Sequence, residues 1–253
     1  SIRILTVALN FISNVLINRS LGIEVKGQMT RIQNYANFLQ ILLNFGLCYA
    51  YPSLIQKYGT KRAKPFLITL IWIQVIFFGG VTGIISIFYS DIYNFISSVL
   101  FIVMLCESQI VFMALIDDIK SRNKVLLIST VGYILANFFA IILVPGNLYV
   151  VLTLLILRYA VEIAICSYRC SYFTFSPKSI NKEYVKNTLL IGVPTAVVAA
   201  LISCNYNIDI FMLDIYSCSD IQVGMFGVAY SLSNMLWFIP DAFKEMVYNR
   251  TVN

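Results

Sequence analysis

A chain of 253 residues that is 59% hydrophobic and only 12% charged carries about half the charged share of an average soluble domain. A soluble core of this size cannot hide so much apolar side chain; a bilayer can, provided the backbone bonds to itself in helices or a closed barrel. The net charge of +6 forms no basic stripe along a polar helix, which excludes a nucleic-acid footprint. The absence of histidine excludes Ser-His-Asp catalysis and His-based zinc sites.

Barrel strands alternate apolar and polar over about ten residues, whereas the apolar runs here continue for about twenty, the length of a membrane-spanning helix. The expected fold is an all-α polytopic membrane protein of about eight spans, at 2–18, 30–54, 65–89, 95–116, 125–145, 148–168, 187–215 and 225–247. Ser1 already lies in an apolar run, which fits a retained first span better than a cleaved signal and implies a missing start. Span 1 carries Asn10 and Asn14 on one helical face. Span 2 carries Asn34 and Asn44, with Arg31 at its outer end, where snorkelling and a cavity role are both open. Interhelical hydrogen bonding is the plainer role for these four Asn residues.

Gly79, Gly80 and Gly83 in span 3 read as helix-packing residues. Glu107 in span 4 is a mid-span carboxylate with no evident partner. Asp117-Asp118 lacks the third carboxylate of a paired-aspartate magnesium motif, because position 121 is Ser, and Lys120, Arg122 and Lys124 surround the pair; a solvated charged loop is expected there.

Arg158 and Glu162 in span 6 stand four residues apart and share a face. Charges at mid-membrane cost about 2.5–3.5 kcal/mol each on insertion scales, so the pair reads either as a functional cavity site or as a structural ion pair. Cys166 and Cys170, one turn apart, lack His or CxxC support, so no metal is expected; the remaining cysteines mostly serve as small apolar residues.

The longest gap, 169–186, separates an N-terminal six-helix lobe (1–185) from the start of a second lobe (186–253). Span 7 contains Asp209 in its outer part, and Gly192 and Pro194 as a candidate hinge; Pro240 in span 8 is another.

Fourteen of the eighteen Lys and Arg residues fall in every second gap: Arg3; Lys57, Lys61, Arg62 and Lys64; Lys120, Arg122 and Lys124; Arg169, Lys178, Lys182 and Lys186; Lys244 and Arg250. Only Arg19 and Lys26 fall in the intervening gaps, and Arg31 and Arg158 lie within spans. The basic side is therefore expected in the cytoplasm, with 19–27, 90–94 and 216–224 outside.

Asn18 to Gln28 and Ile215 to Met225 form a weak repeat: Gly27 matches Gly224, an acidic residue precedes each, and each leads into a span with Asn37 or Asn234. Two six-helix lobes related by an axis along the membrane normal account for a parallel repeat after an even number of spans.

Three stretches carry a family resemblance: Asn18 to Gly27; Phe45-Gly46-Leu47 through Tyr58; and Ile191-Gly192-Val193-Pro194, Asn207-Ile208-Asp209 and Val223 to Tyr230. In these the chain resembles the polysaccharide (O-antigen and repeat-unit) flippases of the superfamily that includes multidrug-and-toxin extruders. Such proteins usually have twelve to fourteen helices, so the resemblance implies one full lobe and the first third of another.

It also implies a function: moving an undecaprenyl-diphosphate-linked oligosaccharide from the inner to the outer leaflet of a bacterial inner membrane, with no enzymatic step and no cofactor. The implied partners are that lipid-linked sugar and the bilayer, with a coupling ion left open. The candidate cavity residues are Arg158, Glu162, Arg31, Asp209, Asn10, Asn14, Asn34 and Asn44. A cation-coupled multidrug exporter on the same fold is the alternative. Arg31 and Arg158 in a cavity repel cations, and residues 2–17 lack the acidic residue expected of many such extruders. A membrane enzyme of polysaccharide assembly is disfavoured by the missing His and the short outer loops.

Overall fold

The computed structural model describes residues 2–88, 92–144, 146–233 and Pro240, and the regular structure among them is helical. Helix α1 runs Ile2–Leu43 and is broken at Gly22, whose φ of 75° and ψ of 164° suit glycine and strain any residue with a Cβ. Asn14 before the break and Ile41 after it line one cavity. An unbroken helix would separate them by about 40 Å, so the chain doubles back at Gly22. The expected outer loop at 19–27 is thus replaced by helix on both sides of one glycine. The reversal needs only one residue with positive φ, and the flanking residues keep their helical bonds.

A second break follows at Asn44 to Gly46, where Phe45 and Gly46 take φ of 50° and 65°. Gln74 Nε2 donates to the freed Leu43 carbonyl, satisfying an acceptor that the ended helix leaves open. A 3-10 turn, Leu47–Ala50, leads into α2, Tyr51–Tyr58, and this stretch bends 44° from Leu21–Leu43.

Helices α3 (Thr60–Phe88), α4 (Ile92–Asp117), α5 (Ile119–Leu143), α6 (Leu148–Arg169) and α7 (Lys182–Ile215) follow, then α8 at 220–233. Three start on side-chain caps. Asp118 accepts from Ser121 N, Asn147 from Tyr149 N and Val150 N, and Asn181 from Glu183 N, filling donors that helix starts leave free. The Ser121 N–H holds the Asp118 carboxyl below the usual aspartate range.

Five of these helices are long and apolar enough to cross a membrane, or six if the pair 21–43 and 47–58, bent by 44°, is counted as one broken span. They correspond to the expected spans from 30–54 to 187–215. Residues 2–18 are helical within α1, and the expected span 225–247 continues beyond the described residues. The protein is a multi-pass membrane protein. Its polarity is inverted accordingly. Ile76, Phe77, Phe139, Ile142, Leu190 and Leu201 are exposed, whereas Gln74, Gln109, Thr130, Asn137 and Glu162 are buried, as expected of helices whose solvent on the outside is lipid.

Two apolar clusters hold the bundle. One joins α2, the start of α3, the end of α4 and the start of α5 through Tyr51, Phe66, Ile71, Met113 and Val125. The other joins α1, the start of α4 and the start of α6 through Ile17, Ile32, Leu100 and Leu152. Asp117, expected in a solvated loop, instead accepts from Tyr51 Oη (2.8 Å), Tyr172 Oη (2.9 Å) and Lys64 Nζ (3.0 Å), because the end of α4 tucks under α2 and α3. Burial and this carboxylate keep the Tyr172 phenol far above its usual range.

Candidate functional site

The second part of α1 presents Lys26, Thr30, Gln33, Asn34, Asn37 and Ile41 along one side, at the three- and four-residue steps that put side chains on a common helical face. Facing them are Ser203, Asn207 and Ile210 of α7 and Tyr230 and Ser231 of α8, with Asn14 and Tyr159 behind. They enclose a polar cavity of about 770 Å³.

Two of its residues stand out. Lys26 is 6% exposed and is the one charged side chain in the lining; among the described residues no carboxylate pairs with it. Asn34 is 5% exposed, and neither its amide nitrogen nor its oxygen has a hydrogen-bond partner. An unpaired buried amide costs about 1–3 kcal/mol, so the fold tolerates a deficit that a ligand would remove. Asn207, by contrast, donates to Ser203 O and Oγ.

Close backbone packing flanks the cavity on two sides. Towards one end, a Cβ on Gly27 would collide with the Asp220 carbonyl, and one on Gly224 with the Ile23 carbonyl. The two glycines of the weak repeat therefore lie where α1 and α8 touch. Beside them Arg31 reaches Asp214 (2.6 Å), Asp220 (2.8 Å) and the Cys218 carbonyl (2.6 Å), and Tyr35 and Gln28 bond to the same two carboxylates. The Arg31–Asp214 approach is an ion pair whose angle is not that of a hydrogen bond.

Towards the other end, Gly192 meets Gly46; a Cβ on Gly192 would sit 2.8 Å from the Gly46 oxygen. Tyr58 there donates to Glu183 (2.9 Å) and accepts from Asn187. Helix α7 runs unbroken through Pro194. The neighbours of Pro240 on both sides lie outside the described residues.

The other expected site residues are dispersed. Asn14 and Asn34 line the polar cavity. Asn44 is buried, and its side chain bonds to Cys48 Sγ at 3.9–4.0 Å. Asp209 is exposed on α7 and lines none of the three described cavities. Arg31 edges a separate, mainly apolar cavity of about 1120 Å³ with Ile32, Leu39, Phe78 and Phe101.

Arg158 and Glu162 lie inside the bundle. Arg158 Nε donates to Glu162 (3.1 Å), Nη1 to Asn10 (3.1 Å) and Nη2 to Thr130 (3.3 Å), and its guanidinium stacks against Tyr133 and Tyr159. All three nitrogens are occupied by the protein itself. Lys26 is not among the site residues expected from sequence, because the gap it occupies reads as an outer loop. A signal is present all the same: Lys26, Thr30, Asn34 and Asn37 repeat at helical spacing.

Among the described residues no group of three His, Cys, Asp or Glu side chains is placed to hold a metal, and Cys166 and Cys170 are free thiols.

No curated protein and no solved structure matches the chain. A family model described as "Polysaccharide biosynthesis protein" matches residues 1–239, which takes in α1 to α8, both glycine contacts and every lining residue of the polar cavity. The chain belongs to the polysaccharide biosynthesis protein family.

Proposed function

We propose that this chain transports a lipid-linked oligosaccharide, of the undecaprenyl-diphosphate class, from the inner to the outer leaflet of a bacterial inner membrane by alternating access, without acting as an enzyme. The observation that carries this reading is the polar cavity: it is lined by a buried cation, Lys26, with no ion-pair partner among the described residues, and, about two turns further along α1, by the unsatisfied amide of Asn34. A diphosphate linker is a double anion that hydrocarbon excludes. An ammonium with no competing carboxylate replaces its water, and amides and hydroxyls (Asn14, Gln33, Asn34, Asn37, Ser231) supply both donors and acceptors to sugar hydroxyls. The volume lies within the range of small-molecule sites, and the polyprenyl tail remains in the bilayer.

Residues 1–185 form, on this reading, the first lobe, and α7 and α8 begin the second. The cavity then lies between lobes, and the contacts at Gly27–Asp220 and Gly46–Gly192 close it on opposite sides. Arg31 acts as a clasp between the lobes, and Arg158 with Glu162 holds the first lobe together. A cation exporter on the same fold would need carboxylates facing the substrate; the polar cavity has none in its lining.

The test is restoration of surface polysaccharide in a strain lacking the gene. Lys26→Gln is expected to abolish export at unchanged protein level, and Lys26→Arg to restore part of it. Normal export by Lys26→Gln would overturn the reading.

A further inference from the structure

The largest of the three described cavities takes no part in the transport reading. Its residues on α1, among them Arg31, Leu39 and Leu43, lie on the helical face opposite Lys26, Asn34 and Asn37. The facing wall is the second half of α3 and the start of α4, with Phe78, Val81, Ile85 and Phe101. At one end the walls meet: Gln74 donates to the Leu43 carbonyl, and Phe78 stacks on Phe45 and meets Phe101 edge-on. At the other end a polar rim runs through Arg31, Asp214, Ser98 and Asn94, where a hydrogen bond of 3.3 Å between Ser86 and Ser98 joins α3 to α4. Leu39, Val81 and Ile85 are exposed, so the groove is open to the lipid around the bundle.

The groove holds about 1120 Å³. Left empty, a gap of this size forfeits the dispersion contacts of its lining, and its apolar walls offer water too few partners. Its depth fits a lipid chain. From Arg31 to Leu43 the helix rises about 18 Å, close to the ~15 Å half-thickness of a hydrocarbon core. The polar rim then stands at headgroup level and the aromatic floor near the midplane.

Charge at the rim selects the headgroup. Arg31 is held by two carboxylates, Asp214 at 2.6 Å and Asp220 at 2.8 Å, so acids outnumber the base. A head that is only anionic, a diphosphate included, meets repulsion there. A zwitterionic head does not. A primary ammonium donates charge-assisted hydrogen bonds to the carboxylates. The phosphate meets Arg31, whose guanidinium has five N–H groups and three contacts, to Asp214, Asp220 and the Cys218 carbonyl.

We infer that this groove binds one zwitterionic phospholipid with a primary ammonium headgroup, its acyl chain between α1 and α3 and its head at Arg31 and Asp214. The lipid fills the wedge between these helices and braces α1, whose other face walls the polar cavity. The site stands whatever solute that cavity carries.

Native mass spectrometry of the whole protein, released from nanodiscs with equal parts phosphatidylethanolamine, phosphatidylcholine and phosphatidylglycerol, tests this. One phosphatidylethanolamine is expected to stay with each protein, ahead of phosphatidylcholine, which lacks N–H donors, and phosphatidylglycerol, which lacks the cation. Leu39→Trp fills the groove and is expected to lower retention about tenfold, the effect of displacing about two buried methylenes. If it does not fold, Val81→Trp fills the groove from the facing wall and decides. Ile76→Trp, at an exposed position of α3 outside the described cavities, should retain the lipid. Retention of phosphatidylglycerol ahead of phosphatidylethanolamine overturns the proposal, and so does undiminished retention in the groove-filled variant. Two further results also overturn it: no retained lipid in the unmodified protein, which marks a groove covered by protein, and equal loss in Ile76→Trp, which marks general contact with the bilayer.

Discussion

The layer around Arg158 and the cavity around Lys26 are both polar regions buried in a membrane protein, yet they are built on opposite rules. Each nitrogen of Arg158 has a protein partner within 3.3 Å, on three different helical segments. Lys26 has no counter-ion among the described residues, and neither side-chain polar atom of Asn34 has a hydrogen-bond partner among them. A paired buried charge bonded to the protein at every nitrogen organises the fold around it. A buried polar group left without a partner is a cost carried by the empty protein, and a ligand that supplies the partner recovers it. Burial alone therefore does not separate scaffold from site; which groups meet each buried charge matters as well.

The largest effect expected from this contrast is structural. Arg158→Ala strands the carboxylate of Glu162 in the bundle and should destabilise the protein by about 3–5 kcal/mol, read as a drop in detergent melting temperature and in membrane protein level. A variant that keeps its stability but loses export would move Arg158 to the other side of the comparison.

Lys26→Met reverses the pattern. Stability should hold or rise, because a lone buried cation is removed, while affinity for a soluble diphosphate-sugar probe falls roughly tenfold or more, the loss of a charge-assisted hydrogen bond. Unchanged affinity would break the assignment of Lys26 to the ligand.

Arg31→Ala tests an intermediate case, an ion-paired cation only partly buried. Its side chain is 27% exposed, so water screens part of the loss and about 1–2 kcal/mol is expected. Hydrogen exchange around the α7–α8 turn should rise, since Asp214 and Asp220 then face each other without a cation.

The smallest effect is expected at Asp118, an exposed cap. Asp118→Ala should cost about 1 kcal/mol or less. The folded-state pKa is depressed, so this contribution is complete above pH 3.8, the ordinary aspartate value, and is lost as pH falls through the lower folded value. Asp118→Asn should keep the cap and abolish that pH dependence, measured as melting temperature against pH.

Hydropathy was sufficient for the helical class and for the five spans from 65–89 to 187–215, with a bent helix pair in place of the straight span at 30–54, because a bilayer imposes one rule on every segment that crosses it. The family was legible as well, in the glycine-marked stretches at 18–27, 45–58 and 191–230. The same glycines turned out to be places where backbones touch: Gly27 and Gly224 between α1 and α8, Gly46 and Gly192 between the end of α1 and α7.

Spacing along the chain placed Arg158 beside Glu162, since residues four apart on a helix are neighbours. It said nothing of Asn10, Ser129 or Thr130, which reach the pair from other helices. It also left Asn34 indistinguishable from Asn10, although one lacks any partner and the other holds an arginine.

The sequence by itself determined that these segments are helical and belong in a membrane, because length and apolarity are properties of each segment alone. Only the tertiary structure decided that Gly22 turns α1 back on itself, that Lys26 faces a cavity and not an outer loop, and that Ser129 of α5 meets Glu162 of α6. Those outcomes depend on which helix faces come together, and a charge in low dielectric takes its character from the groups packed against it, however far away they are in the chain.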